Sequence, residues 1–348
     1  MPGPRATDLI ARTRVVAHKS GLRLVTPMLV PSFSSKGFGL RELRKPRGKR
    51  RLVSELAPVL DFIAPSLTGS VLFSAYDLYY KLIPNAFDHL EKADVVFMDS
   101  GGYEVSEHYD ESQVYRPPYR HRKWSQERLD RIIDRVPAHL HLVIVSYDSR
   151  GNLKRQASAA SRMFRRHPRH VHDFLIKPGS RSRSEVNVEE IALHASTLAD
   201  FDIIGVAEKE LGNSLLNRLH NVSKIRIALD SAGVEGPIHV FGSLDPLTVP
   251  LYFAAGAEIL DGLSWLRFYY HEGLALYLDY ASVLSRGVQA RWDNVRGYAL
   301  GENLACLQRL ELDLRTFAHT RDFGTFGPRA EVLEKACQAL ATRLHGGS

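Results

Sequence analysis

An eightfold alternation constrains this chain more than any other feature. Short apolar runs rich in β-branched residues recur at 22–30, 71–76, 95–98, 140–145, 173–176, 202–206, 238–241 and 258–260. Each ends in a break rich in Gly, Ser, Asp or Pro, and helix-like stretches lie between them, among them 126–136, 153–166, 188–199, 212–221 and 247–255. Strands that are apolar along their whole length need cover on both faces, which a parallel sheet flanked by helices provides. Eight strand–helix units therefore predict an α/β fold, a (β/α)₈ TIM barrel, with a doubly wound open sheet as the competing arrangement. The length of 348 residues suits one such barrel with insertions. Beyond the eighth run, 272–285 and 301–345 read as helices with a break at 320–328. The expected organisation is a catalytic barrel over 1–285 and a helical C-terminal extension, 286–348, packed on it.

Composition narrows the classes of function. Apolar residues make up 44%, enough for a large core, and no stretch approaches 18 consecutive apolar residues, so neither a membrane span nor a membrane partner is expected. The N-terminal segment lacks the continuous apolar region of a secretory signal. Two cysteines, Cys306 and Cys337, cannot build a disulfide framework, and the expected location is the cytoplasm. The net charge of +7 favours an anionic partner. Its excess gathers in three places: RELRKPRGKRR at 41–51, RPPYRHRK at 116–123, and the stretch from Arg150 to Arg169.

Barrel enzymes carry their chemistry at the C-terminal ends of the strands. At those ends stand Asp99 after the third run, Asp148 after the fourth, Lys177 after the fifth, Glu208 after the sixth, Gly242 after the seventh and Asp261 after the eighth. Carboxylates that converge in one mouth drive their pKa values apart, which separates acid/base from nucleophile roles. Within Asp99-Ser100-Gly101-Gly102-Tyr103, the paired glycines let backbone approach a flat ligand and Tyr103 offers a stacking face, as a nucleobase site requires.

The ordered series LVTPMLVPSF, LFSAYDLYY, FDHLEKADVVFMDSGGYEV, WSQERLDRIIDRVPAHLHLVIVSYD and IHVFGSLDPLTVPLYFAAGAEILDG, spanning about 22–265, resembles the tRNA-guanine transglycosylase family. The resemblance implies exchange of a guanine in a nucleic acid for a 7-deazaguanine such as preQ₁, preQ₀ or queuine, with no cofactor. It implies that Asp261 is the nucleophile forming a covalent ribosyl–Asp, and that Asp99 is the general acid/base. Asp148 would read the purine N–H edge, Tyr103 would stack on the base, and the Gly205–Val206 backbone would contact it. A homodimer is a further implication.

The sequence departs from that family in four places. The stretch 265–291 holds no cysteine, so the family's zinc site, built from three cysteines and a histidine, is not expected, and His271 alone reads as an ordinary histidine. Ile176-Lys177-Pro178-Gly179 stands where the family has a glutamine–glycine pair, and Pro178 offers neither an amide side chain nor a backbone N–H. Asp77 replaces a common histidine, and GLSWLRFYY lacks the family's Pro-Thr-Arg. Because the zinc region shapes the family's nucleic-acid surface, the polymer is left open between tRNA and DNA. Two other classes fit parts of the sequence. A catalytically silent partner subunit would have no need of both Asp99 and Asp261. A small-molecule barrel glycosidase or nucleosidase would leave the basic runs without a purpose.

Overall fold

A computed structural model describes residues 9–44, 50–106 and 121–346. Eight strands close into an all-parallel barrel in chain order: β1 Met28–Phe33, β2 Ser70–Ser74, β3 Val95–Asp99, β4 Leu142–Val145, β5 Val171–Ile176, β6 Ile203–Ala207, β7 Ile238–Phe241 and β8 Ile259–Gly262. Nearly every residue of these strands is buried, as required when helices cover one face and side chains fill the other. The helices that position the residues of interest are α1 Leu56–Ile63, α2 Ala75–Tyr80, α3 Gln126–Ile133, α4 Leu153–Phe164, α5 Val188–Leu193, α6 Leu215–Ser231, α7 Val249–Ala254, α8 Trp292–Thr320 and α9 Ala330–His345. Asn152, Asn187 and Ser214 cap α4, α5 and α6 by accepting from the third helical N–H (Arg155, Glu190 and Asn217).

The chain divides into two compact units, one spanning Ser32–Asp148 and the other made of the residues on either side. In the smaller unit, Ser32 and Phe33 of β1 pair with Leu72 and Phe73 of β2, and β2 pairs with β3 from Ser70↔Val95 to Ser74↔Asp99. The Phe33 and Phe73 rings stack at 4.7 Å. In the larger unit, β8 pairs with the first part of β1, Asp261 opposite Val30, and β5 through β8 pair in succession. Buried Glu258 lies just before β8, where it accepts from Arg14 Nε at 2.7 Å and from the Ile238 N–H at 2.7 Å. Fully buried Arg226 of α6 lies nearby, 4.0 Å from Glu258.

Two expectations are corrected. The run 22–30 is not one strand: Arg23–Val25 pairs antiparallel with Val15–Ala17, and the barrel strand begins at Met28. Pro27 stands between them without an N–H to donate, so the ladder cannot run through it. The stretch 272–285 is not a helix: Phe268–His271 and Leu274–Tyr277 form a hairpin, followed by a π-helical turn at Ser282–Arg286. Glu272 and Gly273 both adopt positive φ, the backbone of a two-residue hairpin turn. The 212–221 helix proves longer, continuing to Ser231, and 188–199 breaks into α5 and a 3₁₀ turn. The C-terminal extension is helical: α9 packs on α6 and α7, while α8 packs on the hairpin. No helix among the described residues is long and apolar enough to cross a membrane.

Candidate active site

In the smaller unit, the loop after β3 is folded onto the end of β4. Asp99 Oδ2 accepts the Gly101 N–H at 3.0 Å. Ser100 Oγ donates to Asp148 Oδ1 at 2.9 Å and accepts from the Gly102 N–H at 3.3 Å. A Cβ at Gly102 would lie 2.4 Å from the Asp148 carboxyl, so glycine is what allows this backbone to lie against that carboxylate. Gly101 takes φ +84°, and a Cβ there would come within 2.8 Å of the Trp124 indole nitrogen, which itself donates to the Ser100 carbonyl at 2.8 Å. The paired glycines thus approach Asp148 and Trp124. Tyr103 carries a cation on its ring: Lys36 Nζ lies 4.5 Å from the centroid and donates to the Tyr103 carbonyl at 2.7 Å.

Behind this loop lie two buried acids whose pairing has no signal in the sequence. Asp77 of α2 accepts from the Ser35 N–H and hydroxyl, both at 2.5 Å. Glu104 accepts from the Ser34 hydroxyl. Burial, opposed by the Ser35 hydrogen bonds and aided by the charge of Asp99, pushes the Asp77 carboxyl up to about 7. Burial and the charge of Asp77 push Glu104 up to about 7. A carboxyl whose pKa is raised on folding stabilises the protein fully below its unfolded value, and that stability is lost as pH rises through the folded value. The urea midpoint of unfolding should therefore fall between about pH 4 and pH 8, and Glu104→Gln should flatten that slope. A slope unchanged by Glu104→Gln would remove Glu104 from the cause.

In the larger unit, Asp261 sits on β8 with one carboxylate oxygen doubly engaged. Oδ1 accepts the Gly242 N–H at 3.0 Å and lies 3.3 Å from His239 Nε2. His239 Nδ1 in turn lies 2.7 Å from Asp173 Oδ2. The Gly242 backbone thus lies against the Asp261 carboxylate. Burial pulls the His239 imidazole down, but Asp173 and Asp261 together push it up to about 9. Burial pushes the Asp173 carboxyl up. Two carboxylates around one imidazole favour its protonated form. A Cβ on Gly205 would fall 2.7 Å from the Phe241 ring and 2.8 Å from Asp173 Oδ1, so Gly205 makes room for this group. The Val206 side chain is fully buried in the core.

Two expected site residues have turned to protein partners. Lys177 Nζ pairs with Glu210 at 2.6 Å, and Gln156 holds the Lys177 backbone by both its N–H and its carbonyl. Glu208 accepts from the Tyr252 hydroxyl at 2.8 Å and lies 3.4 Å from Arg218. Within the smaller unit the structure brings Asp99, Ser100, Gly101, Gly102 and Asp148 together. Within the larger it brings Asp261 and Gly242 together, and adds His239 and Asp173. A signal for those two was present: His239 interrupts an otherwise apolar strand and Asp173 follows His172 near the start of β5, at positions that share a face with Phe241 and Leu175.

The zinc that the resemblance would bring does not fit. The 268–277 hairpin and α8 enclose an apolar cluster of Tyr269, Ala281, Val295 and Ala299, and His271 stacks on Tyr269 at 5.5 Å between centroids. Among the described residues no three His, Cys, Asp or Glu side chains are grouped to hold a metal ion. Of the basic runs, residues 45–49 and 116–120 lie outside the described residues. In comparisons with known proteins, no protein-family model matches the chain and no curated protein matches it significantly.

Proposed function

We propose that this protein is a transglycosylase that exchanges a guanine in a nucleic acid for a 7-deazaguanine, tRNA being the first polymer to test and DNA the second. The observation that carries the reading is the contrast between two strand-end aspartates. Asp99 stands where its charge bears on the buried acid Asp77, whose proton is retained to about pH 7. Asp261 stands in a positive setting, against a peptide N–H and an imidazolium. Two strand-end carboxylates in such different settings can divide the work, one exchanging a proton with the base and the other bonding to the sugar.

The chemistry then runs in two halves. A carboxylate oxygen of Asp261 bonds to the sugar C1′ as the glycosidic C–N bond breaks, and Asp99 delivers a proton to the departing purine. The incoming base gives a proton to Asp99, its nitrogen attacks C1′, and the Asp261 carboxylate departs. Asp148, held by Ser100 beside the Gly102 backbone, supplies an acceptor for purine N–H donors. The target nucleotide must leave its stack to enter such a pocket.

Support for a polyanionic substrate comes from the stretch containing α4. Residues 149–172 contain seven Arg or Lys and no Asp or Glu. Lys154, Arg155, Arg162 and Arg165 are exposed and have no carboxylate partner among the described residues. The test is incorporation of labelled guanine into separate tRNA and DNA pools, with binding measured across a salt series. Replacing Arg155, Arg162 and Arg165 by Glu should weaken binding of either polymer alike and lower the salt slope by about one for each phosphate no longer neutralised. If neither pool takes up label and neither polymer binds near physiological salt, the reading fails.

A further inference from the structure

One imidazole bridges two carboxylates inside the larger unit. His239 and Asp173 have no exposed side-chain surface, and Asp261 is 5% exposed. The groups that face the ring come from each neighbouring strand: Asp173 from β5, Gly205 from β6, and Asp261 from β8, while Phe241 of β7 stacks on it at 3.8 Å. A neutral imidazole can donate from only one nitrogen, so it would turn a lone pair towards one of the two carboxylates. An imidazolium carries an N–H at each nitrogen, one bonded to Asp173 and one 3.3 Å from Asp261 Oδ1, and leaves the three groups with one net negative charge.

We infer that His239 is a positioning residue for Asp261, an imidazolium braced by Asp173 that fixes the orientation of Asp261 and favours its departure from the ribosyl ester. This role rests on the transglycosylase reading. During attack the bond from Asp261 to C1′ forms, the C–N bond breaks, and the carboxylate charge beside His239 is lost. On the return step, the incoming nitrogen bonds to C1′, the C1′–O bond breaks, and that charge reappears beside the cation. His239 keeps its proton throughout. The cation therefore restrains attack and assists release, because it stabilises the free carboxylate more than the ester. Asp173 acts through His239, holding the ring as a carboxylate holds a catalytic imidazole elsewhere.

The test uses the full chain and three measurements. His239→Gln keeps a donor near Asp261 but removes the charge. It should lower turnover by roughly 10²-fold, and the covalent adduct should accumulate during turnover because release slows while attack is no longer restrained by the cation. Wild-type turnover should fall above about pH 9, where His239 loses its proton. That limb should vanish in His239→Gln and move to lower pH in Asp173→Asn. Imidazole NMR shifts, followed against pH without any substrate, should show the same titration in the wild type and the same downward move in Asp173→Asn. A neutral ring at pH 7, or a His239→Gln enzyme with wild-type rate, no added adduct and the same alkaline limb, overturns the inference. A wild-type ring that titrates near 9 in a protein that exchanges no base from either polymer overturns the transglycosylase reading instead, and with it the role assigned to His239.

Discussion

Asp261→Asn is expected to abolish base exchange, lowering turnover by on the order of 10⁴–10⁶-fold, the loss seen when a covalent nucleophile is removed from an otherwise intact site. The side chain keeps its shape, so the change tests charge and nucleophilicity with little disturbance of packing. The Gly242 N–H can still be accepted by an amide oxygen at the Oδ1 position, now 3.0 Å from that nitrogen. What disappears is the anion proposed to attack C1′, and with it any covalent protein–polynucleotide species trapped by rapid denaturation. Asp99→Asn provides the contrast. It should slow exchange by roughly 10²–10⁴-fold, as for a missing acid/base group, while some adduct still forms with a base that leaves readily. Full exchange by Asp261→Asn, or an adduct that persists in it, would refute the nucleophile assignment. Equal loss of polymer binding in both variants would point to folding as the cause, so binding at fixed salt belongs in the same experiment.

Glu258→Gln should produce the largest loss of stability, about 3–5 kcal/mol, which is the cost of leaving a buried charge without its counter-ion. Glu258 is fully buried and gathers cations from two parts of the chain: Arg14 Nε at 2.7 Å, Arg12 Nε at 3.9 Å and Arg226 Nη1 at 4.0 Å. It also accepts the Ile238 N–H, tying the start of β7 to its own position before β8. Arg226 is fully buried as well, and its remaining partners are the Val234 and Gly236 carbonyls and partly exposed Asp230. Removing the charge from Glu258 leaves an enclosed guanidinium with one solvated counter-ion. The urea midpoint should drop with an unchanged dependence on denaturant, because the folded surface is unaltered. A loss below about 1 kcal/mol would mean that water or Asp230 already compensates Arg226.

Much of the architecture was legible because burial leaves a local record. Runs such as 95–98 (VVFM) and the 142–145 part of 140–145 (LVIV) are apolar on both faces, and only a covered parallel strand tolerates that pattern in water. The strand-end residues were legible for the same reason: once the strands are placed, the parallel direction decides which end carries the site. Asp99, Asp148, Gly242 and Asp261 were proposed in this way, and their close hydrogen-bond partners include backbone N–H groups and a neighbouring serine. The second hairpin strand, Leu274–Tyr277, was misread as part of a helix over 272–285 because the apolar and aromatic residues there also satisfy a helical spacing. Only the positive-φ pair Glu272–Gly273 decides for the turn.

By itself, then, the sequence determined the parallel strands and favoured a closed barrel over an open sheet, with strand ends to search for chemistry. The tertiary structure alone decided which buried polar groups meet. His239 finds Asp173 across 66 residues, Ser34 finds Glu104 across 70, and Ser35 finds Asp77 across 42. A lone polar residue in an apolar strand announces that it needs a partner, since burying it unpaired is costly. Its partner is set by strand register and by the absence of a Cβ at positions such as Gly205 and Gly102. Neither is encoded within reach of the residue's own neighbours, and so the imidazolium behind Asp261 emerges only when β5, β7 and β8 come together in the barrel wall.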